Sequence, residues 1–212
     1  MKLNLPKKYL SWSAINLWNI NKEQFRDRYY RNIKFPDTVY TLFGKEVHKA
    51  LETEKFKDVP RYSHSEYKIE VLIEDIPILG YIDSFEESTH TLLDYKTGSM
   101  KADGSPRWTQ SDVEKHDQLP FYALLVKEKF GSVDKNCKLV WLVTRNKKKT
   151  DDFAGLSLEG DSTELELTGD VFTFNRKIAK WEHDRIREII VQSAKDISQD
   201  YTEFARTLTP QR

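Results

Sequence analysis

The prediction of the fold starts from residues 78–96, ILGYIDSFEESTHTLLDYK. Its two ends, residues 78–85 and 91–96, have the apolar, β-branched and aromatic content that is typical of strands. The polar residues between them favour a turn, so the two strands are predicted to form a hairpin. Three charged residues stand inside the apolar runs: Asp83, Asp94 and Lys96.

Hairpin geometry predicts that these three side chains share one face of the ribbon. A two-residue turn at residues 87–88 would make Asp83 and Asp94 diagonal neighbours, with backbones about 7–8 Å apart. Residues two apart along a strand point to the same side, so Lys96 accompanies Asp94. A pairing shifted by one residue would instead place the two aspartates on opposite faces.

Two carboxylates that converge in a strand core repel each other, so they need a cation or a shared proton. Oxygen ligands of this kind suit Mg²⁺, Mn²⁺ or Ca²⁺. A neighbouring lysine such as Lys96 could orient a water molecule or offset negative charge that develops on a phosphate. The alternative is structural, since a D-x-K triplet is short and can form an ordinary ion pair at a sheet edge.

The rest of the chain predicts a mixed α/β (α+β) domain with a central mixed β-sheet flanked by helices. Apolar periodicity predicts four helices, at residues 11–30, 40–56, 112–130 and 176–207. Three further strands are predicted at residues 67–73, 138–144 and 164–174. We interpret residues 1–212 as one domain: N-terminal helices in 1–60, a core sheet and helix in 61–145, and further strands and the last helix in 146–212.

Composition excludes several classes of protein. The chain of 212 residues has 34 Lys+Arg and 34 Asp+Glu, so its net charge gives no overall attraction to nucleic acid. Its densest basic run, residues 145–149, is followed at once by Asp151 and Asp152 and also fits a solvated loop. The single cysteine, Cys137, excludes an internal disulfide and a cysteine-only zinc or iron–sulfur site. No apolar run predicts a membrane span and no secretory signal is recognisable, so we expect a cytoplasmic setting.

The motifs around the hairpin resemble those of a known family. G-Y-I-D at residues 80–83, followed by D-Y-K-T-G at residues 94–98, resembles the core of the PD-(D/E)XK nuclease superfamily, and most of all its RecB-like branch. Three other stretches are similar to family motifs in the same order: L-S-W-S-A-I at 10–15, F-G-K-E-V-H at 43–48 and Q-L-P-F-Y at 118–122. The resemblance implies a restriction-endonuclease-like core.

The resemblance also implies roles for individual residues. His48, Asp83 and Asp94 would be metal ligands, together with the backbone carbonyl of Tyr95, and Lys96 would be the catalytic lysine. Two residues on the following helix, Gln118 and Tyr122, would line the active site and touch the phosphate backbone. Without the resemblance, His48 would be read as a core or boundary histidine, and the Gln118 and Tyr122 pair as packing on one helical face.

One feature departs from many RecB-like nucleases, which carry an iron–sulfur cluster held by four cysteines. With Cys137 alone, this chain cannot hold one. We therefore expect the first and last helices to be joined by side-chain packing, with aromatic residues supplying the contact: Trp12, Trp18, Phe25, Tyr29, Tyr30 and Trp181. In its compact size and its lack of a cluster, the chain is similar to phage-encoded nucleases of this branch.

The sequence thus predicts a DNA nuclease that uses Mg²⁺ or Mn²⁺, more specifically an exonuclease of DNA recombination or repair, because no module for reading sequence is evident. Three basic residues are predicted to hold the strand: Lys101, Arg107 and Lys147. One alternative is a nuclease-fold protein that binds DNA or a partner without cutting. Another is a nuclease subunit that works beside a helicase or a single-strand-annealing protein, since the chain has no phosphate-binding loop of its own.

Overall fold

A computed structural model describes residues 3–52, 56, 58–133, 136–147 and 164–208. The mixed sheet with flanking helices is confirmed. Six helices run over α1 (Trp12–Ile20), α2 (Lys22–Tyr29), α3 (Val39–Glu52), α4 (Gln110–Glu114), α5 (Gln118–Phe130) and α6 (Lys180–Thr207). Five strands run over β1 (His64–Ile73), β2 (Ile76–Glu86), β3 (Thr91–Gly98), β4 (Asn136–Asn146) and β5 (Leu165–Lys177).

The five strands form one sheet in the order β1-β2-β3-β4-β5. All neighbouring strands are antiparallel except β3 and β4, which are parallel and are joined through α4 and α5. A parallel pair needs such a crossover, and helices then cover the sheet. Residues 139–144 of β4 are all buried, as the nearly unbroken apolar run predicts.

Helices cover both faces of the sheet. On one face, α1, α5 and α6 enclose the larger core, which includes Trp18, Phe121 and Trp141. On the other face, α3 packs Phe43 and Val47 into a second cluster with residues of β3, β4 and β5. Because α3 lies against one side of β3 and α5 against the other, both helices bring their polar residues to the same region of this strand.

Two predicted helices are each divided in the structure. Residues 11–30 form α1 and α2, because Asn21 is extended (φ −150°, ψ 90°) and its side chain caps α2 by accepting from the Gln24 N–H. Residues 112–130 are divided between α4 and α5 by Lys115–Asp117, and Pro120 falls in the first turn of α5, where proline is tolerated. The last helix begins at Lys180 rather than at residue 176, because β5 continues to Lys177.

The first helices and α6 are packed together, as the missing cluster led us to expect. The Tyr30 ring lies 4.9 Å from that of Tyr201 and 5.1 Å from that of Phe204, measured between centroids. Arg26 forms a bidentate ion pair with Asp200. Trp181 was expected in this contact and is not part of it: its side chain is exposed and lies beside Arg185.

The predicted hairpin register is wrong. Glu86 pairs with Thr91 and Ser84 with Leu93, so the connection spans residues 87–90 rather than two residues. His90 takes a left-handed conformation (φ 55°) at its end. The predicted diagonal arrangement of the two aspartates therefore does not form, because pairing between β2 and β3 stops at Ser84 and the strands part before Asp83.

The described residues include no helix that is long and apolar enough to cross a membrane. Part of the predicted basic run, Lys148 and Lys149, lies outside the described residues, as do Asp151 and Asp152. The predicted continuation of the second helix over residues 53–55 lies outside them as well.

Candidate active site

The site begins at a fork in the sheet between β2 and β3. Where the two strands part, the Asp83 carboxylate accepts a hydrogen bond from the Tyr95 backbone N–H at 2.6 Å and so bridges the opening. Further along β2, where the strand no longer pairs with β3, its edge pairs with Leu10. The Leu10 backbone forms hydrogen bonds with Pro77 and Leu79. Because β2 is held in this way on a second segment, the fork stays open beside Asp83.

Three elements bring potential metal ligands to the base of the fork. His48 comes from α3, Glu66 from β1 and Asp83 from β2. The His48 Nδ1 atom lies 3.7 Å from Glu66 Oε1 and 3.7 Å from Asp83 Oδ1. One donor atom from each residue lies within 4.8 Å of the others, so the three side chains could coordinate one cation.

The Asp94 carboxylate is buried beside this cluster, with 1% of the residue exposed. Lys96 Nζ lies 2.8 Å from Asp94 Oδ2, so the two side chains form an ion pair. Among the described residues, the other carboxylate oxygen of Asp94, Oδ1, has no hydrogen-bond donor. Buried polar atoms are seldom left without one, so this carboxylate has the capacity to accept a cation.

The ionisation of the cluster is coupled. Burial raises the pKa of Asp83 to about 7, and the negative charge of Asp94 adds to the effect against His48 and Lys96. Burial lowers the pKa of His48, but its contact with Glu66 and the charges of Asp83 and Asp94 outweigh this, so the pKa rises overall. The cluster therefore retains protons that a bound cation would displace.

These donors fit a divalent cation. An imidazole nitrogen together with several carboxylate oxygens suits Mn²⁺, and the oxygens alone suit Mg²⁺. The unpartnered Oδ1 atom of Asp94 is the observation that favours a cation over a purely structural ion pair. The participation of the Tyr95 carbonyl stays a prediction.

A hydrogen-bonded series leads from Lys96 to α5. Lys96 Nζ donates to Gln118 Oε1 at 2.9 Å, and Gln118 Nε2 donates to the Tyr122 hydroxyl at 3.2 Å. Gln118 and Tyr122 are four residues apart and so lie on one face of the helix. Burial raises the pKa of Tyr122, which keeps this hydroxyl protonated.

Comparison with known proteins identifies the family of the chain. The sequence profile of the PD-(D/E)XK nuclease superfamily matches residues 16–209, almost the whole chain.

The chain belongs to this superfamily.

Two solved structures share the fold of this PD-(D/E)XK nuclease. A Eubacterium rectale protein whose name proposes an exonuclease has a TM-score of 0.59 at 9% identity, covering 91% of this chain and 82% of that one. A phage-related exonuclease from Haemophilus somnus 129PT has a TM-score of 0.56 at 17% identity, with the same coverage of both chains. No curated protein matches the sequence. The predicted superfamily is thus confirmed, and the RecB-like branch stays a prediction.

The structure places the three predicted strand-binding residues on loops around this nuclease core. The Arg107 Nε atom donates to the Ser99 carbonyl at 3.0 Å, and its side chain packs over Gly98, two residues beyond Lys96. Lys101 is exposed in the turn that follows. Lys147 follows the end of β4, where its backbone N–H donates to Glu164. Their role in holding a strand stays a prediction.

Glu66 was missed by sequence reasoning, although a signal for it exists. Ser65 pairs with Ser84 and Tyr67 with Ile82, which sets Glu66 level with Asp83. The tight connection at residues 74–75 fixes this register, so counting back from it would have identified the residue. Glu66 itself has a left-handed backbone (φ 48°), which breaks the regular alternation of β1 beside the ligands.

His116 was missed as well, and no local pattern indicates it. Its ring packs edge-on against Trp108, with centroids 5.1 Å apart, and lines the same cleft as Lys96 and Gln118. Burial lowers the pKa of His116, and the charge of Lys96 adds to that effect. The residue therefore presents a neutral imidazole near Lys96.

Proposed function

We propose that this protein is a Mg²⁺- or Mn²⁺-dependent deoxyribonuclease that hydrolyses phosphodiester bonds, and that it acts as an exonuclease. The observation that carries the proposal is the buried Asp94 carboxylate, whose Oδ2 is ion-paired with Lys96 and whose Oδ1 has no hydrogen-bond donor among the described residues. The names of the two structural neighbours support exonuclease activity.

In this proposal His48, Asp83 and Asp94 hold the cation, and Glu66 contributes a further carboxylate. When bound, the cation supplies positive charge at the scissile phosphate and makes an attacking water more acidic. The position of these ligands would set where the bound cation supplies its positive charge.

Lys96 stabilises the negative charge that builds on the phosphate during attack. Its ammonium group is held by Asp94 on one side and by the Gln118 carbonyl oxygen on the other. Tyr122 fixes the orientation of the Gln118 amide by accepting from its nitrogen. This preorganisation leaves the ammonium group aimed at the site, so little reorganisation is needed when charge develops.

The proposal places the enzyme in DNA recombination or repair, in the cytoplasm. In that setting its proposed partner is a helicase or a single-strand-annealing protein.

The test is digestion of end-labelled linear DNA with Mg²⁺, with Mn²⁺ and with EDTA. We expect degradation with either metal and none in EDTA, and we expect Asp94→Asn to abolish it. Asp170→Asn, which changes an exposed aspartate in β5, is the matched control and should behave like the wild type. Degradation that persists in Asp94→Asn would remove the proposed site, and DNA binding without cleavage would favour the non-cutting alternative.

A further inference from the structure

A cleft of about 800 Å³ leads away from Lys96 through the fork in the sheet. One wall is the edge of β2 that has parted from β3, at residues 79–81, and the opposite wall includes Gln118 and Tyr122 of α5. The N-terminal segment and α1 close its far end. We call it the aromatic cleft after five of its lining residues: Tyr9, Trp12, Tyr29, Tyr81 and Tyr122.

The charge of the aromatic cleft is one-sided. Two lysines line it, Lys7 and Lys96, and no aspartate or glutamate does among the residues that the structure describes. Lys96 is also ion-paired with the buried Asp94, whereas Lys7 is exposed. A neighbouring cavity of about 670 Å³ beside α6, for comparison, is lined by Glu74 and Asp75 as well as by basic residues. The aromatic cleft is thus suited to an anion.

Its aromatic rings are available for stacking. Tyr9 and Tyr81 are 43% and 46% exposed, so their ring faces are open to a bound molecule. The Trp12 ring is held at the cleft by Phe121, with centroids 5.4 Å apart. Aromatic rings beside cations are the usual platform for unpaired bases, because every base presents a face for stacking whatever its identity.

The dimensions favour one strand over two. A volume of about 800 Å³ lies in the range of small-molecule sites, so it accommodates a few nucleotides. Duplex DNA is much wider than a single strand, and its major groove alone is about 12 Å wide. Stacked base pairs would also keep their faces away from Tyr9 and Tyr81.

We propose that the aromatic cleft binds single-stranded DNA, with bases stacked on Tyr9 and Tyr81 and the backbone directed past Lys7 to Lys96. The inference rests on the proposed function for what happens at Lys96, and it adds that unpaired ends are the form of DNA that enters the site. Sequence preference should be weak, because stacking and phosphate contacts do not distinguish the bases.

The test is the binding of a short fluorescein-labelled oligothymidylate, followed by anisotropy in EDTA so that cleavage does not interfere. We expect Tyr9→Ala and Tyr81→Ala each to weaken binding by roughly 5- to 150-fold, the range known for base–aromatic stacking. Tyr9→Phe and Tyr81→Phe keep the rings and should bind like the wild type. Trp181→Ala removes an exposed ring outside the cleft and should also bind normally.

A blunt duplex should bind more weakly than the single strand and should be insensitive to both tyrosine substitutions. Because both tyrosines are exposed, the thermal unfolding midpoint should stay at the wild-type value and show that binding is lost without unfolding. Alanine variants that bind the single strand like the wild type, or a duplex bound equally well, would overturn the inference.

The two proposals fail separately. If DNA is never degraded but the alanine variants lose single-strand binding, the nuclease proposal is wrong and the cleft assignment holds. If metal-dependent degradation depends on Asp94 while the alanine variants bind normally, the nuclease proposal holds and the cleft assignment is wrong.

Discussion

At the scale of single residues, the site concentrates negative charge where water is largely excluded. Asp94 is almost completely buried, and the side chain of Asp83 is 12% exposed. Ion pairing with Lys96 and the proximity of His48 offset part of this charge. The remaining excess is what makes the cluster responsive both to pH and to divalent cations.

The raised pKa of Asp83 predicts how the stability of the metal-free protein changes with pH. The unfolded chain loses this proton near pH 4, whereas the folded protein keeps it to about pH 7. Between these values the folded state binds more protons than the unfolded state, so stability falls as pH rises. We expect Asp83→Asn to unfold at a higher temperature than the wild type at pH 8 in EDTA.

Mn²⁺ should reverse this order at pH 8, because it binds the wild-type carboxylate and stabilises the folded state by mass action. Thermal unfolding of both proteins at pH 5 and pH 8, with EDTA and with Mn²⁺, checks the prediction. An Asp83→Asn variant that gains as much from Mn²⁺ as the wild type would contradict the role of this carboxylate.

Lys96 supplies a second prediction at this scale. Replacing its charge in Lys96→Gln should lower kcat by about 10²- to 10³-fold, the typical loss when one group that stabilises transition-state charge is removed. DNA affinity measured in EDTA should change much less, since Lys96 is half-buried and already ion-paired with Asp94. Single-turnover cleavage separates the two effects, and an equal loss in affinity and rate would assign Lys96 to binding instead.

At the scale of elements, the close approach of α5 to the sheet depends on Gly80 in β2. An added Cβ at this position would lie 2.9 Å from Leu125 Cδ1 and 3.0 Å from Tyr122 Cε1. Since Tyr122 is hydrogen-bonded to Gln118, and Gln118 to Lys96, the packing of this glycine is linked to the position of the catalytic lysine.

Gly80→Ala should therefore lower the free energy of unfolding by about 1–3 kcal/mol, as overpacking does, and should also reduce cleavage. Gly44→Ala is the matched substitution in α3. Its Cβ would meet Thr97 Oγ1 at 3.4 Å, close to ordinary contact, and alanine suits a helix better than glycine by about 0.5–1 kcal/mol. Urea unfolding of the two variants should change in opposite directions, and a similar loss in both would contradict the packing argument.

At the scale of the whole molecule, the two ends of the chain are packed together. Tyr30, beyond the end of α2, packs against the Tyr201 and Phe204 rings of α6 and donates from its hydroxyl to the Ile197 carbonyl. Asn4 near the N-terminus donates from its backbone to Ser198. These contacts fix the first helices against the last one in a protein whose single cysteine cannot ligate a cluster.

Tyr30→Ala should cost about 3–5 kcal/mol of stability, the range for removal of a large buried aromatic side chain. Tyr30→Phe keeps the ring and loses one long hydrogen bond, so its cost should be about 1 kcal/mol. Urea unfolding measures both. Equal losses in the two variants would show that the hydroxyl, rather than the aromatic packing, joins the ends of the chain.

Features that depend on residues close together along the chain could be predicted from the sequence alone. Asp94 and Lys96 are two residues apart on one strand, and Gln118 and Tyr122 are four apart on one helix, so the backbone geometry of each element brings the side chains together. The capping of α1 by Ser11, which accepts from the Ala14 N–H, follows from the same local rules.

How these pairs combine depends on contacts between segments that are far apart in the sequence. The opening of the sheet at Asp83 depends on the pairing of Leu10 with β2, a contact between segments nearly 70 residues apart that no local pattern encodes. Glu66 and His116 join the site through strand register and helix packing. Long-range contacts thus set the geometry of the site, while local spacing supplied its chemistry.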